Sequence, residues 1–264
     1  MPSAAALRIH IEHAMERRFP AALTPAARTL LEVVPTGIKE IDALLDGGLP
    51  VGAITELIGL ESSGRTNLAM AFIAQRTASE QVCAWVDACD AFDPESAAAS
   101  GADLQRVLWV RCRNSIAPVG AALSANSFAA KRKPWTQLDQ ALRATDLLLQ
   151  ACGFAAIVLD LGDTAPEHGS RIPLATWFRF RQAAGHARSS LVVLGKAAYA
   201  QSSAEVVLQC MPLHAITAGE TVLRGFTYEA KRGRQRFSFL MNGARRPPAS
   251  TWSTCVPWES ERRA

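Results

Sequence analysis

Gly59-Leu60-Glu61-Ser62-Ser63-Gly64-Arg65-Thr66 is the stretch on which the reading of this chain turns. Its spacing is that of a phosphate loop, except that Arg65 stands where lysine is expected. Glycines let the backbone curl so that successive N–H groups converge on an anion, and the helix that follows offers its positive N-terminus. On this reading Gly59, Glu61, Ser62, Ser63, Gly64, Arg65, Thr66 and Asn67 form the cradle for a nucleotide, and the Thr66 hydroxyl lies on Mg²⁺. The flanks agree with the motif: Ala53–Ile58 has the apolar run of a buried strand, and Thr66–Ala78 has helical character.

Outward from this loop the pattern alternates. Strands are expected at Val82–Asp87, Val107–Val110, Ala155–Asp160 and Leu191–Gly195. Helices are expected at Ile38–Leu45, Pro94–Ser100, Gln137–Ala151 and Leu174–His186. Such alternation means parallel strands joined by crossover helices, a three-layer α/β core. The last third changes to strands at Val206–Met211, Val222–Ala230 and Gln235–Met241, the final two joined near Arg232-Gly233. The expected sheet is therefore mixed, mostly parallel, and ends in an antiparallel hairpin.

Asp160 closes the apolar run Ile157-Val158-Leu159. A carboxylate ending a buried strand next to the phosphate strand can hold hydrated Mg²⁺ with Thr66, or it can cap the next element. The residues leave both roles open.

Three segments are expected: residues 1–36 as an amphipathic helix and linker, 37–242 as the core, and 243–264 as a mobile tail. The helix follows from Leu7, Ile11, Met15 and Phe19, which recur every fourth position before Pro20. The tail is rich in Pro, Ser and Arg and lacks periodicity. Its Trp252 and Trp258 are candidate partner anchors.

The 264 residues are 49% hydrophobic and 20% charged, enough for one sizeable core and unlike a disordered chain. No apolar run approaches the roughly 20 residues that a bilayer needs, and no secretory leader pattern opens the chain, so a cytoplasmic protein without membrane contact is expected. Six scattered cysteines contain no CxxC pair, which argues against a zinc knuckle and a disulfide framework. The net charge of +4 does not by itself imply a nucleic-acid partner. Basic residues cluster at Lys131-Arg132-Lys133, beside Trp135, at Lys231-Arg232 with Arg234 and Arg236, and at Arg245-Arg246. Each cluster is either a solvated loop or a phosphate contact, and Lys131-Arg132-Lys133, with its aromatic neighbour, could touch nucleic acid.

Thr36-Gly37-Ile38, Leu44-Leu45-Asp46-Gly47-Gly48-Leu49-Pro50-Val51-Gly52, the phosphate loop and Val82-Cys83-Ala84-Trp85-Val86-Asp87-Ala88-Cys89-Asp90-Ala91-Phe92-Asp93-Pro94 together resemble the bacterial recombinase RecA. The resemblance runs over roughly Thr36 to Leu240. The short chain with altered active-site positions resembles one branch more closely, the ImuA proteins of inducible-mutagenesis operons. That resemblance implies a RecA-like core, ATP and Mg²⁺ as cofactors, and an accessory role in error-prone translesion DNA synthesis within the SOS response to DNA damage. The implied partners are an ImuB-type Y-family polymerase-like protein, a C-family error-prone polymerase, RecA or a second copy of the chain, and single-stranded DNA.

The departures bear on chemistry. Where RecA has the glutamate that activates the attacking water, this sequence has Cys89, and a thiol is a poor base for water. Lys196 stands where RecA has a glutamine that senses the γ-phosphate. The DNA-binding loops look shortened, around Pro166–Ile172 and Ala197–Ala204. Lys231 matches a lysine that RecA places on the neighbouring subunit's nucleotide, with Gly233 interrupting the pattern. Because catalytic parts act together, the expectation is no efficient ATPase and no assignable catalytic residue. Two rival readings are an active DNA-stimulated ATPase that forms filaments and a regulator of the cell-division-inhibitor type. No residue supports the second.

Overall fold

Four apolar runs become strands buried along nearly their whole length, and this burial fixes the layering. In the computed structural model, which describes residues 31–112, 136–218, 222–235 and 248–255, these are β3 (Ile54–Ile58), β4 (Cys83–Asp87), β6 (Ala156–Asp160) and β7 (Ser190–Gly195). Parallel strands covered on both faces need apolar residues at successive positions rather than at alternate ones. Two short strands precede them, β1 (Val33–Val34) and β2 (Leu49–Pro50), which pair with each other.

The strand period of two divides the core between the sheet's faces. Leu57, Trp85, Val158, Val192 and Leu194 point to one face. There they meet α1 (Lys39–Leu44) and α2 (Arg65–Ala78), the latter through Leu68, Phe72 and Ile73. Ile54, Ala84, Val86, Ile157, Leu159, Leu191 and Val193 point to the other face. That face is covered by α4 (Thr136–Ala151), with Leu138, Ala141 and Leu149, and by α6 (Leu174–Ala187), with Trp177 and Phe180. The result is the expected three-layer α/β core.

Eight strands form the main sheet in the order β10-β9-β8-β3-β7-β6-β4-β5, where β5 is Val107–Arg111, β8 Ala204–Ala218, β9 Val222–Gln235 and β10 Ala249–Cys255. From β8 through β5 neighbouring strands are parallel, and β8-β9 and β9-β10 are antiparallel. The mixed, mostly parallel sheet with an antiparallel end is as expected. Two short helices, α3 (Pro94–Ala99) and α5 (Pro166–Gly169), lie in the connections. The Asp93 carboxylate caps α3 by accepting from the backbone N–H groups of Glu95 and Ser96, with Pro94 in the first turn.

Three expectations need correction. The antiparallel hairpin does not turn at Arg232-Gly233: β9 runs unbroken through both residues, and its partner is β8. Gly233 is the extra residue of a β-bulge, since Val207 pairs with Arg234 and Leu208 with Arg232. The region given as a mobile tail contains β10, paired with β9 from Ala249↔Lys231 to Cys255↔Gly225. Trp252 on that strand is 3% exposed and belongs to the core, so it is not a free partner anchor. The β6 strand is not the neighbour of β3 either, because β7 lies between them.

The N-terminal helix around Leu7–Phe19, the basic stretch Lys131–Trp135, residues 236–241, Arg245-Arg246 and Trp258 lie outside the described residues. Cys83, Cys89, Cys112, Cys152 and Cys210 are free thiols, and Cys83, Cys112 and Cys210 are buried. Among the described residues, no helix is long and apolar enough to cross a membrane.

Candidate functional site

The loop leaves β3 at Gly59, whose N–H donates to the Gly195 carbonyl at the end of β7 (3.0 Å). Leu60, Glu61 and Ser62 are exposed, and Ser62 has a positive φ of 57°. Ser63 turns inward, 1% exposed, with its hydroxyl lacking a protein partner. Gly64 then occupies the left-handed region (φ 81°), which a side chain would strain, and α2 starts on it without a side-chain cap. Thr66 and Asn67 lie half-buried in the first turn. Gly59, Glu61, Ser62, Ser63, Gly64, Arg65, Thr66 and Asn67 thus form the strand–loop–helix unit that their spacing predicts.

Part of the site's wall comes from the far end of the chain. A cleft of about 240 Å³ is lined by Leu60, Ser62–Asn67 and Tyr228 of β9. A Cβ placed on Gly64 would come within 2.7 Å of the Tyr228 ring and 3.0 Å of Trp252 Cζ2. The Tyr228 and Trp252 rings lie 5.2 Å apart. Only glycine permits this close approach at position 64. No spacing in the sequence announces either aromatic residue as a neighbour of the loop.

Arg65 is 7% exposed, and its guanidinium folds back on the protein. Nη1 donates to the Gly59 carbonyl and to the Leu60 carbonyl (2.6 Å), and Nη2 donates to the Gly162 carbonyl (3.1 Å) beyond β6. Asp160 ends β6 two strands away from the loop, level with Leu57 through the pairs Leu57↔Leu194 and Asp160↔Leu194. Its Oδ1 accepts from the Gly162 N–H (2.9 Å). Burial pushes the Asp160 carboxyl up to about 6, against the lowering effect of the Gly162 hydrogen bond. The Gly162 backbone therefore ties Asp160 and Arg65 together.

A second link crosses the rim. Lys196 Nζ, at the end of β7, lies 2.5 Å from Glu61 Oε1. The hydrogen bond to Lys196 holds the Glu61 carboxyl below its ordinary value and raises Lys196 in turn.

Cys89 follows a rigid turn. Asp87, fully buried, accepts from the N–H groups of Cys89 (3.2 Å), Ala91 (3.0 Å) and Phe92 (2.9 Å) and from Trp109 Nε1 (3.3 Å). The Cys89 thiol lies 3.8 Å from the Thr164 hydroxyl, and burial pushes its pKa up. The proton is held more firmly than on an ordinary thiol.

Residues 166–172 and 197–204, expected as shortened DNA-binding loops, are each anchored to the protein at a few positions. The N–H groups of Tyr199 (2.6 Å) and Ala200 (2.8 Å) donate to Glu56 Oε1, a carboxylate buried in the centre of β3. Tyr199, 3% exposed, wedges its ring against Gly169 and Gly195. Ile172 is buried in the same cluster. Lys231 is paired within its own strand, 3.2 Å from Glu229.

This strand order, with a phosphate-type loop after β3 and an aspartate closing β6, is consistent with a RecA-like α/β core. The sequence comparisons agree. The RecA N-terminal domain family matches residues 5–115. Protein RecA of Crocosphaera subtropica is 44% identical over 86 residues, 33% of this chain and 25% of that protein. Protein RecA of Trichodesmium erythraeum is 43% identical over 86 residues, 33% of this chain and 24% of that protein. Protein RecA of Brucella anthropi is 47% identical over 79 residues, 30% and 22% of the two chains. The chain spans about a quarter of the length of these curated relatives.

As arranged, the site does not turn its cation toward a bound phosphate. The cation that should face the phosphates is bonded to three carbonyls. Asp160 accepts from the Gly162 N–H through Oδ1.

Proposed function

We propose that the protein is a RecA-like accessory factor of inducible mutagenesis, which supports error-prone translesion DNA synthesis through protein contacts and without efficient ATP hydrolysis. Similarity to RecA supports a place in DNA repair, with ATP, Mg²⁺, single-stranded DNA and self-association as the inherited options. The ImuA-type resemblance narrows the partners to an ImuB-type Y-family polymerase-like protein and a C-family error-prone polymerase.

The observation that carries this reading is Cys89. The resemblance puts the water-activating glutamate at this position, and here a half-buried thiol of raised pKa faces a threonine hydroxyl. General-base catalysis contributes typically about 10²–10⁴-fold, and a protonated thiol supplies none of it. The segments at 166–172 and 197–204 add support, because Ile172, Tyr199 and Ala200 anchor them to the core and leave only short exposed stretches.

Phosphate release at saturating ATP and Mg²⁺, with and without single-stranded DNA, tests the enzymatic half. Turnover comparable to an active recombinase refutes it and favours the filament ATPase. Co-purification with the two polymerase-type partners tests the other half, and failure to bind either one refutes it.

A further inference from the structure

We propose that Arg65 locks the phosphate loop shut: its guanidinium ties the Gly59 and Leu60 carbonyls to the Gly162 carbonyl as an internal cation, and a nucleotide enters only when it is displaced. The inference rests on the reading of this site as hydrolytically disabled, and it adds how the loop is held and what controls access.

The polarity of the loop is the starting point. A phosphate cradle works by turning N–H groups toward an anion. Here carbonyls of the same loop converge on a positive charge instead. A guanidinium carries five donors in a rigid fork, so two of its nitrogens can serve partners on opposite sides of a gap. Arg65 uses that shape: Nη1 takes the two loop carbonyls, and Nη2 reaches the chain beyond β6. A lysine ammonium is a single point charge and cannot span both sides in the same way.

Two further features hold the closed form. Glu61 and Lys196 join the other flank of the loop to the end of β7. Arg65 is also the cation whose charge offsets part of the burial of Asp160, so swinging it away leaves that carboxyl less compensated. The fit at Gly162 is close, since a Cβ there would lie 2.7 Å from Arg65 Nη2. Binding through an open minority state weakens apparent affinity by the open fraction, and a loop open about 1–10% of the time binds roughly ten- to a hundredfold more weakly.

Three proteins decide the matter: wild type, Arg65→Lys and Arg65→Ala. Thermal unfolding without nucleotide, with and without millimolar ethylguanidinium, reads the lock. Calorimetric titration with Mg·ATP reads access. Arg65→Ala is expected to unfold at lower temperature, and ethylguanidinium is expected to restore it while leaving wild type unchanged. Arg65→Lys is expected to bind Mg·ATP at least about tenfold more tightly than wild type. An Arg65→Ala protein as stable as wild type and indifferent to ethylguanidinium overturns the lock. Equal ATP affinity for wild type and Arg65→Lys overturns it too, and that comparison stands even if Arg65→Ala does not fold. Phosphate release separates this inference from the reading beneath it. Wild type that binds ATP tightly without hydrolysing it refutes only the lock, and wild type that hydrolyses ATP efficiently refutes both.

Discussion

Trp252→Ala should destabilise the whole core, not merely loosen a terminal segment. The indole is 3% exposed, lies 5.2 Å from the Tyr228 ring and backs onto Gly64 of the loop. Its Nε1 has no protein partner, so the loss is one of packing alone. Replacing a buried tryptophan with alanine costs about 3–5 kcal/mol, transfer and cavity effects together. Against a total stability of about 5–15 kcal/mol this is a large fraction. For a domain of this size, each kcal/mol moves the melting temperature by roughly 2–4 °C, so a fall of about 6–20 °C is expected. Urea unfolding and calorimetry measure it directly, with Trp252→Phe as a companion that keeps an aromatic ring beside Tyr228 and should lose clearly less. Because the cavity opens behind Tyr228, hydrogen exchange at residues 59–66 should rise in Trp252→Ala as well. A loss below about 1 kcal/mol, with exchange in the loop unchanged, would refute the claim that β10 helps hold the loop.

Other perturbations separate the remaining structural arguments. Asp160 has a folded pKa of about 6 against an ordinary 3.8. Its contribution to stability is therefore fully present below about 3.8 and lost as pH rises through about 6. Asp160→Asn should flatten the stability profile in that window by up to about 3 kcal/mol, and an unchanged profile contradicts the assignment. Asp87→Ala leaves four donors without their acceptor, the buried Phe92 N–H among them, and should cost about 3 kcal/mol in urea unfolding, where under about 1 kcal/mol counts against it. In phosphate release, Arg65→Lys alone and Cys89→Glu alone should stay near background, the first for want of a base and the second because Arg65 still holds the loop. The double variant should exceed both singles, and brisk turnover by either single breaks that argument.

Strands β3, β4, β6 and β7 were legible because parallel strands buried on both faces leave continuous apolar runs. The helix after the loop, read as Thr66–Ala78, starts one residue earlier at Arg65 and ends at Ala78 as expected. The last third was harder for a physical reason. Ala249-Ser250-Thr251-Trp252-Ser253-Thr254-Cys255 carries one large apolar side chain among small and polar ones, the composition of an edge strand and of a loop alike. Gly233 resembles turn chemistry, yet a bulge uses glycine as readily, and only the partner strand distinguishes the two. That β7 separates β3 from β6 is a matter of long-range strand order, which no local spacing encodes. The loop motif located a cation at position 65, but the direction of its guanidinium depended on Gly162, about a hundred residues downstream.

The contact between Gly64 and the Tyr228–Trp252 pair also has a consequence for the order of assembly. Loop and aromatic wall are separated by most of the chain, and contacts of long sequence separation form late because their closure entropy comes first. During synthesis the parallel strands through β7 emerge and can collapse while the glycine turn still has solvent where Tyr228 and Trp252 will lie. The wall is therefore added to a loop that already exists, and a nascent chain stalled before Trp252 presents a phosphate loop with one side open. In that interval the loop is at its most accessible, and the later arrival of β9 and β10 closes the side that they cover.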